Sequence, residues 1–298
     1  FWFNLLGPSS PGDKVHSGGD HMASEDGGSK VLQRLNEAEN FQVGLAAGMF
    51  EQICLQPMLY WKNAAQQGLP FTMNPKLVYR GTAASAGNLA VLTGIQFQFT
   101  GFSQKFFTGG ELRNLTPGEE VCAAFAGGAV SGPACCLMEL MMIQQQRFGG
   151  TLLGTPLRIF QSTGASGFMR GLVASTSRES FYAAGYLGIL PVVGKQTEKL
   201  GVSPAIGSFL GATGAGLLCG VLTQPLDTVK TCMQGDIQQA KYTTFLGTWR
   251  QLIAEQGSVR ALYRGYWWRS SNIVLDFILL NYFMELFAPV MFSSRFQD

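Results

Sequence analysis

Two ionisable residues, Asp227 and Lys230, directly follow a long apolar stretch of the chain. The stretch runs from Gly201 to Leu226, and its 26 residues carry no charge. That length is enough for a helix to cross a bilayer core of about 30 Å. Pro225 removes one backbone hydrogen-bond donor and bends such a helix, after which Asp227 and Lys230 lie one turn apart. A spanning helix that bends and then presents an ion pair is typical of a gate.

Three further ionisable residues, Arg178, Glu179 and Asp276, lie within apolar segments. Ionisable side chains at membrane depth are unfavourable and usually functional. A guanidinium binds a carboxylate with two hydrogen bonds, and the two acids suit an ammonium group. Because neighbouring residues on a helix point about 100° apart, we expect that Arg178 and Glu179 do not pair with each other. An internal bridge from Arg178 to Asp276 that fills the site is the alternative.

The sequence offers little for other kinds of site. The six cysteines all lie in apolar segments without a CxxC or Cys/His spacing, and His16 and His21 stand in a polar stretch without a partner ligand. No glycine pair follows a strand or precedes a Walker lysine. We therefore expect no metal site, no nucleotide site and no enzyme activity, and a net charge of +2 argues against nucleic acid.

Composition predicts a membrane protein. Only 13% of the residues are charged, against about 25% in soluble proteins. The long apolar runs show no sustained alternation, which excludes strands. We therefore predict an all-α membrane protein with six transmembrane helices, near residues 41–66, 82–107, 119–146, 172–195, 203–234 and 266–292.

Basic residues are distributed unevenly between the two sides of these segments. The connections after segments one, three and five carry twelve of the 21 basic residues: Lys62, Lys76, Arg80, Arg147, Arg158, Arg170, Lys230, Lys241, Arg250, Arg260, Arg264 and Arg269. A lysine and arginine excess on one side orients a protein in the bilayer. With an even number of segments, both termini are expected on the less basic side.

The stretch around Pro225 occurs twice more in altered form. The three copies align on Pro57, Leu137 and Pro225, which are 80 and 88 residues apart. Small residues stand nine positions before each anchor (Gly48, Gly128 and Gly216) and thirteen before it (Gly44, Ala124 and Ala212). Such a small-residue face allows helices to approach closely. Arg-Gly pairs follow each copy, at residues 80–81, 170–171 and 264–265. The sequence therefore predicts three internal repeats.

At this point the chain resembles the mitochondrial solute carrier family, whose repeat carries P-x-[DE]-x-x-[KR]-x-x-x-Q at the end of each odd helix. The third copy is complete, with Pro225, Asp227, Lys230 and Gln234. The resemblance implies three pseudo-threefold helix-pair repeats around a central cavity and alternation between two gates. It divides the chain into a polar N-terminal tail (1–40) and repeats at 41–115, 116–200 and 201–298.

The resemblance also implies a matrix-side gate, because in that family the acid of each copy pairs with the base of the next. The gate residues here are Leu59, Lys62, Gln66, Glu139, Met142, Gln146, Asp227, Lys230 and Gln234, with helix kinks at Pro57 and Pro225. Asp227 then pairs with Lys62, and Glu139 pairs with Lys230. The third pair becomes Leu59 and Met142, and replacing both members of a buried ion pair by apolar groups is nearly neutral in energy.

Two family features are reduced in this sequence. The opposite gate lacks its charged ring, since the corresponding stretches are 99–103, 189–193 and 283–287. The first matrix-side connection is short, so we expect its surface helix to be missing or reduced. The aromatic group Tyr263, Tyr266, Trp267 and Trp268, beside Arg264 and Arg269, is interpreted as an anchor at the membrane interface.

Family carriers contact their substrate seven and eight residues after each Arg-Gly glycine. The resemblance therefore implies a substrate site at Asn88, Arg178, Glu179 and Asn272, with Asp276 one turn deeper. This chemistry fits a small charged solute, amino-acid-like, betaine-like or carboxylate.

Two functions follow from these residues. The first is a carrier of such a solute across the mitochondrial inner membrane by alternating access, with both termini in the intermembrane space. The alternative is a transport-inactive, carrier-derived structural subunit of a larger inner-membrane complex of the respiratory or ATP synthase type. We expect no cofactor beyond bound lipid such as cardiolipin. Protein partners are expected at the tail from Phe1 to Asn40, and nucleic acid is not.

Overall fold

The described part of the chain is helical. The computed structural model describes residues 35, 37–90, 92, 95, 99, 106, 116–199 and 204–296. Its helices are α1 (Glu37–Gln67), α2 (Pro75–Val78), α3 (residues 82–90), α4 (Pro117–Phe148), α5 (Gly154–Thr163), α6 (Leu172–Lys199), α7 (Pro204–Gly235), α8 (Phe245–Gln256) and α9 (Tyr266–Met291). These residues contain no strand, which confirms the predicted all-α class.

Helices α1, α4, α6, α7 and α9 coincide with five of the predicted membrane segments, whereas most of the predicted segment 82–107 lies outside the described residues. Three stretches of the described chain are long and apolar enough to cross a membrane: Val121–Phe148, Phe209–Gly235 and Val259–Met291. Pro57 and Pro225 lie inside α1 and α7, as the sequence predicts. The second copy has no proline at its anchor, Leu137, but Pro133 lies one turn earlier in α4.

Small residues bring α4 and α6 together. A Cβ atom added to Gly128 would lie 2.6 Å from the carbonyl oxygen of Glu179, and one added to Gly132 would lie 2.6 Å from the Cα atom of Thr176. Contacts this close to backbone exclude any side chain larger than hydrogen. Gly216 on α7 faces side chains instead, with Ile273 Cγ2 at 2.9 Å from the added atom. The small-residue face predicted from the spacing is therefore a packing surface at Gly128 and Gly216.

The connections between paired helices differ in length. The first contains only the four-residue helix α2, whereas α5 has 10 residues and α8 has 12. The reduced first surface helix is therefore confirmed.

In the third connection, the side chain of Arg170 donates hydrogen bonds to the carbonyl oxygens of Asp236 and Thr243 at 3.1 and 2.7 Å. Burial raises the pKa of Asp236, but backbone N–H donors from Tyr242, Lys241 and Ala240 outweigh it and hold that pKa below its ordinary value.

The glycines of the three Arg-Gly pairs have the left-handed backbone that glycine adopts without strain, with φ of 85°, 76° and 74°. Each faces the gate stretch of the next copy. An added Cβ would lie 3.0 Å from Met142 O at Gly81, 3.3 Å from Lys230 Cγ at Gly171, and 2.8 Å from Lys62 O at Gly265. The order of contacts, first copy to second, second to third and third to first, closes a ring.

Each Arg-Gly pair is also fixed to the odd helix of its own copy. The residue just before each anchor position donates a hydrogen bond to the carbonyl oxygen of the arginine. Gln56 donates to Arg80 at 3.0 Å, Gln224 donates to Arg264 at 2.9 Å, and the thiol of Cys136 donates to Arg170 at 3.5 Å. Equivalent positions thus make equivalent contacts in all three copies.

The chain divides into two compact units, one formed by residues up to Glu51 and from Phe277 onward, the other by Gln52–Asp276. In the first, Val43, Ala47, Met284 and Ala288 form a buried cluster with Leu35. Helix α1 begins at Glu37, about one turn before the predicted segment 41–66, because the helix extends into polar residues. The rest of the tail, up to residue 34, lies outside the described residues.

Candidate functional site

The candidate site lies in the unit Gln52–Asp276, at the ends of helices α1, α4 and α7, which carry the three gate stretches. Lys62 Nζ lies 3.0 Å from Asp227 Oδ2, and Lys230 Nζ lies 2.8 Å from Glu139 Oε1. Lys230 also lies 3.1 Å from Asp227 Oδ1, one turn away on the same helix. All four side chains are buried. The two ion pairs predicted between copies are thus present, and Asp227 joins them into one network.

The three gate glutamines make different contacts. Gln66 donates a hydrogen bond to Asp227 Oδ2 at 2.7 Å and so supports the pair with Lys62. Gln146 accepts one from the Asn63 amide at 2.8 Å. Gln234 donates to the carbonyl oxygen of Cys136 at 3.1 Å. All three join neighbouring copies, but only Gln66 contacts a gate carboxylate directly.

The third position of the ring is apolar. Leu59 packs against a buried cluster that contains Met142, Ile143 and Ala84. Leu59 and Met142 are the two residues that replace an acid and a base of the family pattern. Because both residues are apolar, neither leaves a charge without a partner. This replacement costs less free energy than the loss of only one member of an ion pair.

Arg178 extends the network from the even helix α6. Its guanidinium lies 2.8 Å from Glu139 Oε1 and 3.3 Å from Asp227 Oδ1, and it also pairs with Glu179. The expectation that Arg178 and Glu179 do not pair is therefore wrong. The argument used the directions of the two Cβ atoms, but the long arginine side chain reaches back to its neighbour. Arg178 thus forms an internal bridge with Glu139, Asp227 and Glu179, whereas the bridge to Asp276 that was the alternative stays a prediction.

A cavity of about 200 Å³ adjoins this network. Its polar lining consists of Lys62, Arg178, Glu179, Tyr182, Arg269 and Asn272, and its apolar lining of Leu59 and Ile273. Three cations and one carboxylate thus surround a small space. Such a lining favours a solute that carries at least one negative charge.

The predicted substrate residues are only partly brought together. Arg178, Glu179 and Asn272 line the cavity, whereas Asn88, on α3, and Asp276, deeper on α9, are not among the described residues that do. The amide oxygens of Asn88 and Asn272 are both buried without a hydrogen-bond partner in the described part of the chain. An unpaired buried acceptor is unfavourable and marks a position where a ligand donor is accommodated.

Arg269 was missed by the sequence interpretation. It was grouped with the aromatic residues as an interfacial anchor, but it is only 8% exposed and lines the cavity. Trp267, two residues earlier, is 81% exposed. Two positions along a helix correspond to a rotation of about 200°, so an outward Trp267 requires an inward Arg269. This angular relation was available in the sequence.

Burial also weakens the predicted charge asymmetry. Lys62, Lys230 and Arg269 were counted among the basic residues of the connections, yet all three are buried inside helices. The sequence pattern did not distinguish interior cations at the helix ends from exposed ones in the loops.

The opposite gate is described in part. Residues 100–103 and the side chains of residues 189–193 lie outside the described part of the chain. In the stretch 283–287, Phe283 and Phe287 stack with ring centroids 5.7 Å apart, and Phe50 meets Phe287 at 4.9 Å. The described portion of that gate therefore packs aromatic rings together.

Comparison with known proteins gives the same kind of relative throughout. Residues 201–292 match the family model described as mitochondrial carrier protein. A mitochondrial glycine transporter of Yarrowia lipolytica is 26% identical over 74% of this chain and 84% of its own length. A mitochondrial coenzyme A transporter of Danio rerio is 26% identical over 63% of this chain and 62% of its own. A tricarboxylate transporter of Gibberella moniliformis is 32% identical over 40% of each.

Proposed function

We propose that this chain is a divergent member of the mitochondrial carrier family, a multi-pass protein of the inner membrane, and that it moves a small zwitterionic or carboxylate solute by alternating access. Its relatives are transporters and not enzymes. The family supplies the coarse function, and the geometry of the cavity supports the solute class.

The observation that carries the proposal is that the cavity and the ion network share residues. Lys62 and Arg178 line the cavity, and the same two cations hold Asp227 and Glu139. A carboxylate that enters the cavity therefore competes with the gate carboxylates for the same cations. Solute binding and gate opening are coupled in this way, because binding weakens the closed arrangement directly.

The size of the cavity favours a small solute. A volume of about 200 Å³ is below the range of about 300–1,000 Å³ that is usual for drug-sized ligands. An amino acid or short carboxylate fits such a space. The relatives named as glycine transporters favour an amino-acid-like solute.

The test is uptake into proteoliposomes that contain the purified protein. Radiolabelled glycine, betaine and short mono-, di- and tricarboxylates are offered one at a time, with and without the same solute inside. We expect saturable uptake of at least one, faster when the solute is also inside if the carrier exchanges. Arg178→Gln should lower that uptake at least about tenfold, since it removes hydrogen bonds to charged groups.

Arg295→Gln is the matched control, because Arg295 forms an exposed pair with Glu39 in the other unit. It should leave uptake unchanged. Absence of uptake for every solute in the panel would refute the transport proposal.

The alternative, a structural subunit that has lost transport, is motivated by the reduced first connection and by the aromatic residues of the opposite gate. The relatives reported above give it no support. The location of both termini in the intermembrane space, bound cardiolipin and a partner at the tail remain parts of the proposal that await measurement.

A further inference from the structure

We infer that Arg269 is the residue that binds the carboxylate group of the transported solute. This inference deepens the proposed function and rests on it. It moves the carboxylate site from Arg178, where the sequence placed it, to the next arginine of the same cavity.

Arg269 differs from the other cations of the site in its partners. Its guanidinium donates to Gln224 Oε1 at 3.1 Å and to Thr223 Oγ1 at 2.8 Å, and it lies 6.0 Å from the ring centre of Tyr182. Within the described residues, these partners are all neutral. Gln224 and Thr223 lie on α7, so they fix the direction of the guanidinium without forming an ion pair with it.

The other two cations of the lining are already balanced. Arg178 contacts three carboxylates, and Lys62 lies 3.0 Å from Asp227. An anion that binds either of them must first displace an internal partner. Arg269 has no ion pair among the described residues, so an anion binds it without displacing one, and the anion then lies beside Lys62 and Arg178, where it competes with Asp227 and Glu139 for these cations.

The neighbours of Arg269 define the rest of the solute. Asn272 lies one turn further along α9 and lines the same cavity with a buried amide oxygen that has no described hydrogen-bond donor. Glu179 supplies a carboxylate to the same space. With a carboxylate on Arg269, an ammonium group directed towards Asn272 gives its amide oxygen a donor and shares Glu179 with Arg178. The chemical class is therefore a small amino acid in its zwitterionic form.

The test measures binding without transport. The full-length protein in detergent is titrated with glycine, with acetate, which lacks the ammonium group, and with glycinamide, which lacks the carboxylate, and the shift in unfolding midpoint is recorded. We expect glycine to stabilise most, acetate less and glycinamide least. Arg269→Gln should weaken glycine and acetate binding at least about tenfold, as expected for the loss of a charge-assisted pair. Arg269→Lys should weaken them less, because it keeps the charge and loses the two-pronged geometry.

Arg158→Gln is the matched control, because Arg158 also donates only to neutral acceptors, the carbonyl oxygens of Gly149 and Gln144, but lies outside the cavity. Its glycine and acetate titrations should match those of the unmodified protein. If Arg269→Gln folds poorly, the Arg269→Lys titration decides, and unchanged affinities there refute the inference.

Failure of the inference is distinguishable from failure of the proposed function. If Arg269→Gln and the unmodified protein bind glycine and acetate equally, or if neither solute stabilises the unmodified protein, Arg269 is not the carboxylate site. The uptake panel decides transport separately, since it includes betaine and larger carboxylates. Transport without an effect of Arg269 refutes only the inference, and no uptake of any solute refutes both.

Discussion

At the scale of single residues, Asp227 is the most connected group of the site. It is fully buried and lies 3.0 Å from Lys62, 3.1 Å from Lys230 and 3.3 Å from Arg178, and it accepts a hydrogen bond from Gln66. Three cations thus share one carboxylate. Removing that carboxylate leaves several buried charges without balance, whereas removing one cation leaves the others in place.

We therefore expect Asp227→Asn to destabilise the protein by about 3–5 kcal/mol, the usual range for breaking a buried pair. Lys62→Met keeps the volume of the side chain and should cost less, about 2 kcal/mol, because Lys230 and Arg178 still contact Asp227. Thermal unfolding of the two variants in detergent gives the order. Equal midpoints would show that the network is not shared through Asp227.

The ion pairs were predictable from the sequence, and the partners of Arg178 were not. The spacing of the three copies fixes which Cα atoms face each other, so Lys62 and Asp227 follow from it. Where a long side chain turns depends on the groups around it, and the sequence does not show that Glu139, Asp227 and Glu179 are all within reach of Arg178. Arg269 lies between these cases, since its spacing from Trp267 was in the sequence but the outward direction of Trp267 was seen only in the structure.

At the scale of elements, the contact between α4 and α6 depends on two glycines. Gly128 and Gly132 face the backbone of Glu179 and Thr176 directly. Glu179 and Arg178 belong to the segment that is pressed against α4, so this contact also positions the site. Small residues are what allow helices to pack where apolar burial alone gives no driving force.

We expect Gly128→Ala to destabilise the protein by about 1–3 kcal/mol, because the added methyl group forces the two helices apart. Gly214 on α7 is the control, since no heavy atom of the described chain lies within 4 Å of the position of its Cβ atom. Gly214→Ala should be neutral or stabilising by up to about 1 kcal/mol, from helix propensity alone. Unfolding midpoints compare the two, and a Gly128→Ala midpoint as high as that of Gly214→Ala would contradict the close approach.

Helix positions were predicted to within about a turn, and the reason is the length of the apolar runs. Helix ends are harder to predict where the terminal residues are polar. Helix α1, for example, begins at Glu37, before its apolar pattern starts. The short α2 was also predictable, because the number of residues in the first connection limits the helix it can hold. The position of Pro133 was not predicted from the alignment of the three copies, because it lies one turn before Leu137, where the pattern has its proline.

At the scale of the molecule, the repeated contacts close a ring through the three copies. Gly81 meets Met142, Gly171 meets Lys230, and Gly265 meets Lys62. This order agrees with the pairing rule that produced the ion pairs. The ring therefore predicts that an acid placed at residue 59 and a base placed at residue 142 would pair with each other.

A double-mutant cycle tests this geometry. Met142→Lys should destabilise the protein, because it buries a charge in the apolar cluster, and Leu59→Asp should do so to a smaller extent, because Leu59 also faces the cations of the cavity. Together they should destabilise it less than the sum, by a coupling of about 0.5–3 kcal/mol. Unfolding of the two single variants and the double variant gives the coupling energy, and strictly additive effects would show that residues 59 and 142 do not face each other.

The apolar seam between Leu59 and Met142 has a consequence for how the gate opens. At the other two contacts between copies, opening the gate separates opposite charges, which added salt makes easier. At the contact between Leu59 and Met142, opening exposes apolar side chains to water, which depends little on salt. Exposing apolar surface to water raises the heat capacity. The enthalpy of gate opening should therefore change with temperature in proportion to the apolar surface exposed between Leu59 and Met142. The three contacts between copies are therefore unequal: the two that hold ion pairs respond to salt, and the one between Leu59 and Met142 responds to temperature.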